Sequence, residues 1–160
     1  MDYPESLYKN NREKLDKSCI KLLDNLYARH KPGYDWDEKE GLPDFSKIKI
    51  DPYNKEKNQS FNWDRFSEPK WVRYNIELVY QNEYAVIGYK VSSIRNINEI
   101  NCDISNNLID VEHDPIECNY SHCQLECMDD LKANNSRQLR NLLRMAIKHN
   151  AQVLFGPNEE

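Results

Sequence analysis

The run His113-Asp114-Pro115-Ile116-Glu117-Cys118-Asn119-Tyr120-Ser121-His122 gathers two imidazoles, two carboxylates, a thiol and a phenol into ten residues. Imidazoles titrate near neutrality, so His113 and His122 can serve as general acid and general base on a phosphodiester, with Tyr120 as a helper and Asp114 completing the catalytic set. The same residues also suit a plain turn. Asp114 and Asn119 can bond local backbone, Pro115 fixes φ, and each His fills a half-exposed position. A turn is the commoner use of such a run, because a pair of His without a third orienting group is a weak catalytic signal.

Metal chemistry is a poorer fit. Cys118, Cys123 and Cys127 follow a C-x4-C-x3-C spacing without the paired C-x2-C knuckle of zinc sites. On a strand, Cys123 and Cys127 share a face but stand about 13 Å apart, too far for one tetrahedral ion. The set His122, Asn135 and His149 fails the spacing of a ββα-metal nuclease. No metal and no cofactor is expected. A third candidate is the basic series Arg137, Arg140, Arg144 and Lys148, which recurs at steps of three and four and can track phosphates from one helix face. Its ordinary alternative is the solvated side of an amphipathic helix.

Composition restricts the function classes further. The chain has 160 residues, enough for one core, and a mean hydropathy of -0.92 with three Trp, ten Tyr and four Phe. Four Gly, none in a GxGxxG or GxxxxGK[ST] arrangement, argue against the Gly-rich phosphate loops. No apolar stretch approaches the ~20 residues that cross a bilayer, and the start MDYPESLYKN carries neither a basic nor an apolar signal region. A cytoplasmic protein with no membrane partner is expected, its five cysteines mostly reduced. The net charge of -5 is unevenly spread: 1–31 carry +2, 32–70 carry -2, 71–131 carry -8 and 132–160 carry +3. A polyanion would therefore be met by the terminal segments, the C-terminal helix above all.

These residues need elements to hold them. Leu15, Cys19, Leu22, Leu23, Leu26 and Tyr27 recur at three and four, which predicts an N-terminal helix within 1–31, stopped at Pro32-Gly33. Residues 32–70 hold four prolines and many aromatics, including Tyr34, Trp36, Phe45 and Trp63, and read as an irregular segment packed on the core or ordered by a partner. Alternation from Val72 to Tyr80, a turn at 81–83 and the Val/Ile/Tyr-rich 84–94 predict a hairpin. Residues 96–107 read as an Asn-rich loop, and 108–111 and 121–127 as two shorter strands. Ser136 can cap a C-terminal helix within 132–155, bearing Leu139, Leu142, Leu143, Ala146 and Ile147 on one side, and Gly156-Pro157 ends the ordered part. The expected fold is a single α+β domain over 1–160, an antiparallel meander of about four strands in 71–131 packed by an N-terminal and a C-terminal helix.

The string HDPIECNYSHCQL resembles a pattern found in small bacterial proteins, His-x-Pro-x3-Asn-x2-His followed by an apolar residue and a short Arg- and Leu-rich C-terminal segment. Here the positions are His113, Pro115, Asn119 and His122, with Leu125 beyond. The resemblance covers about the last third of the chain and implies a shared site, without naming its chemistry. The sequence thus favours a binding or accessory protein acting through protein–protein contact. The second reading is a metal-independent ribonuclease, toxin-like, using His113 and His122.

Overall fold

The computed structural model describes Pro4 and residues 13–51, 53–96, 109–127 and 137–160. Residues 5–12 of the expected first helix, the Asn-rich loop 97–107, the Ser136 cap and the side chains of Leu139, Arg140, Leu142, Leu143 and Ala146 lie outside the described set.

The first departure from the sequence reading comes at Asp16 and Asp24. Asp16 caps a single 3-10 turn, Lys17–Cys19, by accepting the Ser18 N–H, and the Asp24 carboxylate accepts the Lys21 N–H and the indole N–H of Trp63. Short acidic side chains compete with the helical ladder for backbone donors. The chain therefore turns at 21–24 and leaves as strand β1, Asn25–His30. Leu22 and Leu23, read as part of an apolar helix stripe, sit exposed in that turn, Leu23 by 81%. Two short strands, β2 (Trp36–Asp37) and β3 (Leu42–Pro43), pair with each other. The remaining strands are β4 (Ser60–Trp63), β5 (Ala85–Lys90), β6 (Ile109–His113), β7 (His122–Cys127) and β8 (Gln152–Phe155). Two α-helices are described, α1 (Val91–Arg95) and α2 (Arg137–His149).

The expected α+β meander flanked by terminal helices is corrected by this arrangement. The molecule is mostly sheet: six antiparallel strands in the order β6-β7-β4-β1-β5-β8, beside the two-stranded β2-β3. β1, taken for a helix, is central. The alternating stretch 72–80 is a 3-10 turn, Pro69–Arg73, followed by a loop in which Leu78 adopts φ 59. Pro69 opens that turn without needing a donor, and a left-handed residue cannot continue a pleated strand. Order also runs past α2, through β8 at one sheet edge.

Pleating gives the sheet two different faces. Leu26, Phe61, Trp63, Ile87, Val111 and Leu125 share the core face, where Ile94 of α1, Ile147 of α2 and Ile48 and Ile50 join them. The opposite face carries Tyr27, Arg29, Ser60, Asn62, His122 and Gln124. No described helix is long and apolar enough to cross a membrane.

Candidate functional site

Register decides the fate of the two histidines. His113 pairs with Cys123 across β6 and β7. Side chains alternate along a strand, so His122, one residue earlier, projects to the opposite face. The expected convergence of His113 and His122 does not occur. His113 is fully buried among the rings of Trp63, Phe66 and Tyr120, with centroids 5.6, 6.0 and 4.8 Å away. Its Nδ1 accepts the Leu15 N–H at 2.9 Å and its Nε2 lies 2.7 Å from the Tyr120 carbonyl, which fixes the tautomer with the proton on Nε2. Both ring nitrogens are thus occupied by backbone. Tyr120 is buried too and donates its hydroxyl to the Glu13 carbonyl at 2.9 Å.

His122 is half-buried and donates from Nδ1 to the Asp114 carbonyl at 2.7 Å, while the Asp114 carboxylate stands 4.0 Å away. Asn119 knits the turn between the strands, donating to Asn62 Oδ1 at 2.7 Å and accepting the Ser121 N–H at 3.0 Å. Of the predicted phosphate stripe, the Arg140 side chain lies outside the described set and Lys148 is exposed. Arg137 is exposed, Arg144 donates to the Ile48 carbonyl at 3.0 Å, and Lys148 lies 5.9 Å from the Phe45 ring centroid. Cys118 and Cys123 are thiols, and no group of three His, Cys, Asp or Glu among the described residues is placed to hold a metal ion.

Burial lowers the pKa of both His113 and His122 below the ordinary 6.5, against the raising effect of the hydrogen bonds to Tyr120 and Asp114. Above pH 6.5 both rings are neutral folded and unfolded. As pH falls below that value the unfolded chain takes up protons that the folded chain refuses, so stability is lost downward through the folded pKa values. The urea midpoint is expected to decline between pH 6.5 and about 5, before carboxylates contribute. His122→Gln should flatten this decline, and an identical profile in the variant would contradict the assignment.

The polar sheet face holds a different site. A cavity of about 420 Å³ opens over it, with Tyr27, Arg29, Asn62 and His122 from the strands and Lys47, Lys49, Lys57 and Tyr74 from the loops around it. A second hollow of similar volume adjoins it, sharing Asp35, Lys47 and Lys49 and adding Lys31, Tyr34 and Tyr84. Together they form one trough. No family model, curated protein or solved structure matches this chain. The trough's chemistry must therefore be read from its own residues.

Lys47 and Lys49 project because Ile48 and Ile50 between and after them are anchored in the core. Lys55 opens and Lys57 closes the same 3-10 turn, yet their fates differ: Lys55 pairs with Glu112, whereas Lys57 faces the trough. Arg29 is positioned by the Gln81 side chain at 3.0 Å and by the Tyr84 ring, 4.6 Å from its guanidinium. Asp35 is the trough's lone carboxylate among the described residues. It accepts from the Lys31 N–H at 2.7 Å and from His30 Nδ1 at 3.0 Å, and His30 Nε2 lies 2.9 Å from the Tyr89 hydroxyl. Burial pushes the Asp35 pKa up, but the bonds from His30 and Lys31 outweigh it and hold the carboxylate below its usual range. Burial pushes the Tyr89 phenol up, so it remains a donor. Asp35 is thereby committed to an inward chain of hydrogen bonds. The alternation Lys47-Ile48-Lys49-Ile50 was the available sequence signal for this wall. Tyr27 and Arg29 were concealed by the helical reading of their segment.

Proposed function

We propose that the protein is a binding protein that takes an anionic partner into the trough on the polar face of its sheet, rather than a hydrolase built on His113 and His122. One observation carries this reading: Arg29, Lys31, Lys47, Lys49 and Lys57 meet around a single committed carboxylate, in a chain whose net charge is -5. Like charges gathered in a concave surface focus the field and attract counter-ions. Neither Lys47, Lys49 nor Lys57 has an ion-pair partner among the described residues. This reading moves the expected polyanion contact from the terminal segments to the trough, whose cations lie in or beside the aromatic-rich segment 32–70 expected to meet a partner.

The test uses inorganic polyphosphate as the probe, titrated into the wild type and into Lys47→Glu/Lys49→Glu. The wild type is expected to bind at low ionic strength and to weaken as salt rises. The double variant should lose binding while its melting curve barely moves, because both side chains are exposed. A wild type that ignores polyphosphate, or a variant that binds it equally well, overturns the proposal.

A further inference from the structure

We infer that the trough accommodates a single-stranded nucleic acid, whose phosphates lie along the cations and whose bases stack on tyrosines interleaved with them. This inference rests on the anion-binding reading and adds the ligand's class. Tyr27 and Tyr74 line the first hollow, and Tyr34 and Tyr84 the second. Flat rings alternating with cations along a groove are what unpaired strands use, because every base offers a π-face and every nucleotide a charge.

Tyr34 is the telling residue. It is 76% exposed and lines the second hollow. The backbone beneath it is nevertheless tightly bound: the Lys31 carbonyl accepts the N–H groups of Tyr34, Asp35 and Trp36, and Gly33 supplies the left-handed step at φ 82. The ring is thus held out at the lip by a rigid turn. Tyr84 has the Arg29 guanidinium at 4.6 Å and the Lys31 ammonium at 5.5 Å from its centroid, so its cations are already arranged around an aromatic plane. Each hollow, at about 420 Å³, lies in the range of pockets that hold a small planar moiety.

Charge elsewhere confines the strand. On the β6–β7 side of the same face, Asp110 and Glu112 are paired with Arg95, Lys14 and Lys55, and Glu126 with Lys17. Those cations are paired within the fold, whereas Lys47, Lys49 and Lys57 have no ion-pair partner among the described residues. An acidic peptide would satisfy the lysines but offers no flat faces for the tyrosines, and a duplex keeps its bases stacked inside.

The experiment measures fluorescence anisotropy of labelled oligouridylate and oligodeoxythymidylate of about 12 nucleotides, with polyphosphate, polyglutamate and a blunt duplex as competitors. Single strands should bind more tightly than polyphosphate of equal charge, and the duplex should compete poorly. Preference between the two oligonucleotides assigns the source as RNA or DNA. Tyr34→Ala should weaken oligonucleotide binding roughly 5- to 150-fold and leave polyphosphate binding unchanged, with Tyr34→Phe restoring it. Lys47→Ala/Lys49→Ala should flatten the slope of log affinity against log salt by roughly 1.4. Polyglutamate binding as tightly as the oligonucleotides, or Tyr34→Ala without effect on them, overturns the nucleic-acid inference and leaves the anion site standing. Failure of polyphosphate itself would remove both.

Discussion

His113→Ala is expected to lower the unfolding free energy by about 3–5 kcal/mol, the largest effect of any histidine substitution in the chain. Two losses combine. The ring vacates a space bounded by Trp63, Phe66 and Tyr120, and those aromatics cannot close over it without moving the turn that carries Tyr120. At the same time the Leu15 N–H and the Tyr120 carbonyl lose the nitrogens that satisfied them. Unsatisfied buried backbone groups cost about 1–3 kcal/mol each. Urea denaturation followed by tryptophan fluorescence is the measurement, since Trp63 reports the site directly. His113→Gln, which keeps a donor and an acceptor, should recover part of the loss. A shift within about 0.5 kcal/mol, as for a surface position, would show that the residue is not the structural pin described here.

Arg73→Met should be nearly as damaging, about 3–5 kcal/mol, and its damage should be local in origin. Arg73 is 1% exposed, and its guanidinium gathers chain that is distant in sequence. It donates to the carbonyls of Tyr84 at 2.9 Å and Gly156 at 2.8 Å, to the Glu159 carbonyl, and to the Tyr80 hydroxyl at 3.2 Å, and it lies 5.2 Å from the Phe155 ring centroid. Methionine fills much of the volume but leaves these acceptors without donors. Amide hydrogen exchange should show β8 losing protection first, with β1 and β5 retaining theirs under the same conditions. Unchanged protection at Val153 and Leu154 in the variant would refute the idea that one side chain ties the C-terminal strand to the sheet.

The parts of the fold legible from sequence were those whose pattern had a single physical reading. The short strand expected at 121–127 and the three-to-four spacing after Arg137 coincide with β7 and α2, whereas the period-two alternation of 72–80 became a 3-10 turn and a loop. The N-terminal segment was ambiguous in a specific way. Leu22, Leu23, Leu26 and Tyr27 fit a helix stripe, and what overrides them is Asp24, whose carboxylate finds the Trp63 indole 39 residues away. Such a tertiary partner has no local signature. The histidine pair failed for a related reason. Nothing in the spacing of His113 and His122 states whether the intervening turn preserves or reverses the side-chain parity, and that parity alone separates a shared site from two faces. The trough was hidden because its members come from several separate stretches of sequence, around 27–35, 47–49, 57–62 and 74–84, that meet only once the chain has folded.

The order β6-β7-β4-β1-β5-β8 also sets a timetable for acquiring the native state. Among the paired neighbours described in this sheet, β6 and β7 alone are joined by a short connection. Phe61 must find Cys123, and Ile87 must find Val153, before the sheet is whole. Each of these closures spends chain entropy ahead of any compensating contact, so the topology belongs with slow folders working on milliseconds to seconds. During that interval β4 and β5 present unpaired edges, and a neighbouring molecule can supply the missing strand as readily as the chain itself. Yield on refolding should accordingly depend on protein concentration more than on the stability finally reached.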